Sequence, residues 1–269
     1  DELNNPFNDA KKAKDLFYDE VAAFQKLDNE FKLILYSLLS KDIRFTNFFK
    51  YNNYAGTVNT DQLNDIIRKR FFEQICSETD LELFILKHPV ELAYALALLN
   101  CADRFSITPP WVLKNYPHVE RLIYLMRNSP CVKGCNYCKL ALDPVIALKK
   151  YFGFPSFRRF GNEPLQEEAA TAAIHGKSIL AVFPTGGGKS ITFQVPALMS
   201  GENAKALTVV IAPLQSLMKD QVDNLEKKGI TEAVTINGLL DPIERAKAIE
   251  RIENGLVSLL YISPESLRS

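Results

Sequence analysis

Ser178-Ile179-Leu180-Ala181-Val182-Phe183-Pro184-Thr185-Gly186-Gly187-Gly188-Lys189-Ser190 is the stretch whose reading decides the fold. Its first six residues form an apolar run of strand length. A glycine turn follows, and residues 189–199 are then long enough for a helix. Strand, glycine turn and helix in that order suit triphosphate binding. Glycines let consecutive backbone N–H groups converge on an anion, and the helix adds its positive N-terminus. Lys189 can reach the β- and γ-phosphates, and the Ser190 hydroxyl can ligate Mg2+. Thr185, Gly186, Gly187 and Gly188 are therefore candidate nucleotide-binding residues, and Lys189 and Ser190 candidate catalytic ones. The strict eight-residue pattern begins with Gly, where Phe183 stands here. The departure removes no group that would touch phosphate.

Downstream, the pattern alternates. Thr208–Ala212 is a second apolar run, followed by a helical segment from Ser216 to Lys228 that stops at Gly229. Leu214, Leu217 and Val222 are expected in its core. Val234–Ile236 is a weaker strand, Asp241–Asn254 an amphipathic helix ahead of Gly255, and Leu259–Ile262 another buried strand. Apolar strands separated by helices predict βαβ units and a parallel sheet, with ligands at the carboxyl ends of its strands.

Upstream, helical periodicity takes over. Leu16, Phe17, Val21, Phe24, Leu27, Phe31, Ile34, Leu35 and Leu38 recur at three- and four-residue intervals. Leu63, Ile66, Ile67, Phe71 and Ile75 repeat the pattern behind Thr60 as an expected N-cap. Val90–Leu99 reads as a buried helix and Val119–Arg127 as another. Ten of the twelve glycines follow residue 150, which places the expected boundary there: a helical domain over 1–150 and the first part of a RecA-like lobe over 151–269. The fold class is α + α/β, a helical N-terminal domain followed by a partial P-loop domain with a parallel sheet.

At 269 residues the chain has room for about 1.8 domains at roughly 150 residues each. Its 47% hydrophobic and 24% charged residues exclude a disordered or collagen-like chain. Lys+Arg and Asp+Glu both number 32, with 20 against 19 in residues 1–150, so no basic excess marks a nucleic-acid partner. Balanced totals leave the placement of charges open. No apolar run reaches membrane-spanning length and no signal peptide opens the chain, so no membrane partner and a cytoplasmic location, with the nucleoid if bacterial, are expected. The absence of an initiator Met and the abrupt end at Ser269 suggest a piece of a longer protein.

Four segments in order resemble the superfamily-2 helicases, RecQ-like ones in particular. Phe152–Arg158 with Gln166-Glu167-Glu168 is similar to the adenine-recognition motif of that family, and Phe183–Ser190 to its motif I. Ala212–Val222 resembles motif Ia, and Leu260–Leu267 resembles motif Ib. The resemblance covers residues 151–269. It implies ATP and Mg2+ as cofactors, with Gln166 hydrogen-bonding the adenine edge, Phe152 or Phe154 packing on the base, and Arg158 facing the nucleotide. Residues around Phe160-Gly161-Asn162-Glu163 are extra relative to the family pattern. Either the loop bulges, or Arg158 turns away. The resemblance further implies contacts to DNA, single-stranded or forked, from Pro213, Ser216 and Lys219 and from Pro264 and Glu265. Hydroxyls, backbone N–H groups and a placed cation position a strand without reading its sequence.

Only seven residues follow Ile262, and none forms the Asp-Glu pair that such motors use to hold Mg2+. The 269 residues are expected to bind nucleotide weakly and to hydrolyse nothing, catalysis belonging to a longer parent. The function expected of that parent is ATP-dependent DNA unwinding. The alternatives are a double-stranded DNA translocase and a non-enzymatic recruitment module whose N-terminal helices bind a protein partner. A P-loop kinase would leave motifs Ia and Ib without a role.

Cys131, Cys135 and Cys138 form a tight group, with Cys101 thirty residues upstream. In a reducing compartment such a group binds metal rather than forming disulfides. With Cys101 it would make a four-sulfur site for Zn2+, and its spacing also suits a [4Fe–4S] cluster or incidental free thiols. The spacing resembles the radical-SAM signature as well, without the barrel pattern around it. Cys76, beside Ile75, reads as a small core residue.

Overall fold

The computed structural model describes residues 25–46, 49–50, 56–101, 108, 110–238 and 240–268. The expected helical positions Leu16, Phe17, Val21 and Phe24 lie outside the described residues.

Helices build the first layer. α1 (Asn29–Leu39) starts at Asp28, whose carboxylate accepts the Phe31 N–H at 2.9 Å, an N-cap that satisfies one of the orphan donors of the first turn. α2 (Thr60–Arg70) is capped one residue earlier than its sequence suggests. Asn59, not Thr60, accepts the Gln62 N–H, and Gln62 returns a bond to the Asn59 N–H in a reciprocal box. α3 (Leu81–Lys87), α4 (Pro89–Asn100), α5 (Pro110–Asn115) and α6 (Val119–Arg127) follow. The stripe Phe31, Ile34, Leu35 and Leu38 interlocks with Leu63, Ile67, Leu92, Leu96 and Ile123 in one core. Arg70 clamps α2 to Asp28 at 2.6 Å from the outside.

A second core takes in Cys76 from the first layer and, from Tyr137 onward, α7 (Asn136–Ala141), α8 (Pro144–Phe152), α9 (Leu165–Ile174) and α10 (Ile191–Ala204). Packing therefore changes partner between Met126 and Tyr137, while the glycine content rises only after residue 150. The two criteria differ because glycine marks tight turns, whereas α7 and α8 are ordinary helices that happen to cover the second core.

The sheet is parallel, as expected, and has three strands in the order β1-β3-β2: β1 (Thr208–Ile211), β2 (Ala233–Ile236) and β3 (Leu259–Ile262). α11 (Gln215–Glu226) and α12 (Pro242–Glu253) supply the crossovers. Gly201 of α10 faces Ser258 so closely that a Cβ there would lie 1.9 Å from the Ser258 Oγ, so only glycine lets the helix seat at the base of β3.

Two expectations fail here. Ser178–Phe183 is not a strand: it pairs with none of the described strands, and Leu180 and Val182 are 92% and 80% exposed. A strand exists through its ladder, and an apolar run without a pairing edge has nothing to hold it. Leu214 and Leu217 are exposed as well. α11 buries the stripe Met218, Val222 and Leu225 at i, i+4 and i+7, and Leu214 precedes the helix while Leu217 sits beside the stripe.

Candidate nucleotide-binding site

The glycine turn is held in a cradle that larger residues would fill. Gly186 and Gly188 have φ of +72° and +68°, a region costly for residues with a Cβ. A Cβ at Gly187 would lie 2.8 Å from the Pro184 carbonyl oxygen, and one at Gly188 would lie 2.7 Å from Gln166 Nε2. Thr185 and Lys189 are exposed, and Ser190, half-buried, stands at the N-terminus of α10. That helix therefore presents its positive end to the turn, the arrangement anion binding needs.

Gln166, on the first turn of α9, is buried, and its amide is already engaged. Nε2 donates to the Gly187 carbonyl at 2.8 Å and the Gly188 carbonyl at 3.1 Å, and Oε1 accepts the Arg158 N–H at 2.9 Å. The expected bond to an adenine edge would have to be made in exchange for these. With both N–H donors spent on the turn, Gln166 acts as a brace for the loop. Phe152 is likewise corrected: it is a buried residue of the second core, closed off by the packing of α8. Phe154 is 46% exposed, stacks parallel to Phe152 at 6.5 Å and carries the Lys228 ammonium 5.3 Å from its ring centre. Of the two rings, it is the one open to a base.

The extra residues after Arg159 do bulge. Phe160 and Glu163 exchange both backbone hydrogen bonds, closing a tight turn in which Gly161 has φ of +62°. Arg158 keeps its course toward the loop, its Nη1 donating to the Gly186 carbonyl at 3.2 Å with the guanidinium 5.6 Å from the Phe160 ring. Phe160 in turn packs 5.5 Å from Phe183. The bulky residue in the first position of the glycine pattern is thus buried against Phe160.

The other expected contacts collect at one end of the sheet. β1 and β3 are adjacent and parallel, and the Ala212 N–H donates to the Ile262 carbonyl at 3.0 Å. The segments that follow them, Pro213–Lys219 and Pro264–Glu265, consequently emerge side by side. Pro213, Ser216, Lys219, Pro264 and Glu265 are all exposed. One link escaped the sequence reading. Gln194, buried in α10, donates to Gln221 of α11 at 3.0 Å and to the Tyr261 hydroxyl of β3 at 3.2 Å. It bonds the helix that starts at the glycine turn to both elements bearing the other motifs.

At the opposite, C-terminal end of α10, Glu202 accepts from Lys150 and Tyr151 of α8. Burial works against its charge, but the ammonium and the hydroxyl more than offset that and hold its carboxyl below the ordinary range. Burial and the same carboxylate push the Tyr151 hydroxyl up.

The cysteines regroup. Cys131, Cys135 and Cys138 are joined by Cys76, all four sulfurs lying within 4.8 Å of one another. Cys101, expected as the fourth member, is exposed at the C-terminus of α4 and stands outside the group. The turn after α2 carries Cys76 to the loop between α6 and α7, where its N–H donates to the Met126 carbonyl at 2.8 Å.

Comparison with known proteins finds relatives for the second part of the chain. Residues 163–269 match the DEAD/DEAH box helicase family. The chain is 42% identical over 120 residues to the ATP-dependent DNA helicase RecQ of Haemophilus influenzae, 39% over 121 residues to the ATP-dependent helicase SGS1 of Saccharomyces cerevisiae, and 36% over 122 residues to the probable ATP-dependent DNA helicase RecS of Bacillus subtilis. Each alignment takes in 45% of this chain and, respectively, 18%, 8% and 22% of the relative, so the chain matches less than a quarter of each relative's length. In these residues the chain is thus similar to the DEAD/DEAH box helicase family and to RecQ-type ATP-dependent DNA helicases.

Proposed function

We propose that residues 151–269 belong to the first motor lobe of a RecQ-like ATP-dependent DNA helicase, which couples ATP hydrolysis to the separation of DNA strands. The observation that carries the reading is the braced glycine turn at the N-terminus of α10, with left-handed backbone at Gly186 and Gly188 and no room for a Cβ at Gly187 or Gly188. That cradle fits a Mg2+-bound triphosphate. The Gly187 N–H is held by the Pro184 carbonyl at 3.0 Å, so the backbone N–H groups of Gly186 and Gly188–Ser190 would surround phosphate oxygens, Lys189 would offset their charge, and the Ser190 hydroxyl would hold the metal ion. ATP supplies the free energy when bound; the residues of this chain orient its phosphates and exclude side-chain bulk from them. Phe154 would pack on the base while Arg158 and Gln166 keep the turn in shape.

DNA, single-stranded or forked, would lie across the sheet end where Pro213, Ser216, Lys219, Pro264 and Glu265 emerge. Such contacts act on the phosphate backbone and are independent of sequence. The bonds from Gln194 to Gln221 and Tyr261 give a direct route between the nucleotide and that surface. No helix among the described residues is long and apolar enough to cross a membrane, which is consistent with action on DNA in the cytoplasm or nucleoid. In the intact protein, Lys189→Ala should abolish DNA-stimulated ATP hydrolysis with little change in thermal unfolding. Retained DNA-stimulated turnover in that variant would contradict the assignment.

A further inference from the structure

Four thiols from two distant stretches meet at the seam between the cores. Cys76 follows α2, Cys131 and Cys135 lie in the loop after α6, and Cys138 is in α7. Among the described residues no carboxylate or imidazole joins the group. An all-sulfur donor set selects soft or borderline metals over Mg2+ and Ca2+. A Zn2+ ion with Zn–S bonds of about 2.3 Å holds its four sulfurs about 3.8 Å apart. The observed limit of 4.8 Å therefore needs only a slight contraction. A [4Fe–4S] cubane asks for the opposite, since each thiolate ligates a different iron and the cluster body keeps the four apart.

A second observation is independent of the spacing. Three backbone N–H groups point at the sulfurs: Ser77 donates to Cys135 Sγ at 3.5 Å, Glu78 to Cys76 Sγ at 3.4 Å, and Cys135 to Cys131 Sγ at 3.2 Å. Donors aimed at sulfur favour the thiolate, the form that ligates metal, and hold its orientation. The loop closes with the Gly134 N–H on the Cys131 carbonyl, and Gly134 takes φ of +62° to turn Cys131 and Cys135 to the same side.

The surroundings indicate what a metal would do there. Cys76 comes from the layer of α2 and α3, yet it packs in the second core with Cys138 and Tyr137. Next to it, Arg127 donates to the Gln74 carbonyl at 2.7 Å and to the Asn203 carbonyl of α10 at 2.6 Å, while the Tyr137 hydroxyl donates to the Arg127 carbonyl at 2.8 Å. We propose that Cys76, Cys131, Cys135 and Cys138 bind a single structural Zn2+ that rivets the helical layer to the lobe bearing the glycine turn. All four positions are filled by protein, so the ion has no open site for chemistry.

The test is metal analysis of the chain purified under reducing conditions. We expect about one zinc per chain, no iron or acid-labile sulfide, and no visible absorbance, as for a closed four-thiolate site. Cys135→Ser and Cys76→Ser should lose the zinc, and Cys101→Ser should keep it. Should the first two variants fail to fold, replacement of the ion by Co2+ in the unaltered chain reads the same site, through the thiolate-to-cobalt absorption of a tetrahedral four-sulfur centre. A folded chain with no zinc and four titratable thiols at these positions would overturn the proposal. So would stoichiometric iron with sulfide, zinc that survives Cys76→Ser, or zinc lost from Cys101→Ser.

Discussion

The glycine turn and the thiol group differ in how the chain assembles them. The turn is seven consecutive residues, Pro184–Ser190, and its chemistry follows from their order. The thiol group needs Cys76 brought to Cys131, Cys135 and Cys138 across the whole of α3 to α6. A site written in one stretch survives any misreading of the fold. A site assembled from several stretches exists only through packing, and the distribution of cysteines along the chain favoured Cys101 over Cys76 for no reason that the structure upholds.

Substitutions can separate the two kinds of dependence. The largest effect is expected from Lys189→Ala, which removes a charge from the local site while leaving packing alone. Nucleotide affinity should fall roughly tenfold or more, the scale of one lost charge-assisted contact, with the denaturant midpoint unchanged. Gly201→Ala should do the reverse. A Cβ placed against Ser258 ought to cost about 1–3 kcal/mol in chemical unfolding, as overpacking does, with the turn itself intact. Unchanged stability in that variant would mean that α10 does not seat against β3 as described.

Gly188→Ala lies where the two dependences meet, because its φ of +68° is local while its Cβ would strike Gln166 from 22 residues upstream. About 1–3 kcal/mol of strain is expected, lowering both affinity and stability. Pairing it with Gln166→Ala removes the clash but keeps the left-handed backbone, so the double variant should be less impaired than the sum of the two single ones. Strict additivity would show that the brace is not in contact with the turn.

Acid should act on the seam more weakly. Glu202 has a depressed carboxyl pKa in the folded protein, so its contribution is present above the unfolded carboxylate value and is lost as pH falls through the lower, folded one. Thermal stability should therefore decline below about pH 4, and Glu202→Gln should flatten that part of the profile. The smallest effect is assigned to Cys101→Ser. An exposed thiol outside the group should change stability by no more than about 0.5 kcal/mol.

Much of the fold was legible wherever the signal was periodic. Val119–Arg127 and the apolar run Val90–Leu99 form helices as read, and three of four expected strands pair in parallel. The fourth, Ser178–Phe183, shows why apolar content alone is insufficient: the residues carry the side chains of a strand, but pairing is a property of the neighbour. Within the site, Lys189, Ser190 and the glycines stand where the order of the turn implies. The bonds from Gln166 to the Gly187 and Gly188 carbonyls were not legible, because sequence gives an amide its location and not its acceptor. The Gln194 link was invisible for the same reason: all three of its members lie on different elements.

The central claim is that Gly186–Ser190 form an anion cradle for a nucleotide. Backbone hydrogen exchange of the chain with and without Mg2+-ATP tests it most directly, since the groups that would bind phosphate are the exchanging amides themselves. Saturable slowing of exchange at Gly186 and Gly188–Ser190, lost in Lys189→Ala, is the predicted result; the Gly187 amide, bonded to the Pro184 carbonyl, is the internal reference. Exchange at these amides that ignores Mg2+-ATP, or slowing that persists unchanged in Lys189→Ala, would contradict the account.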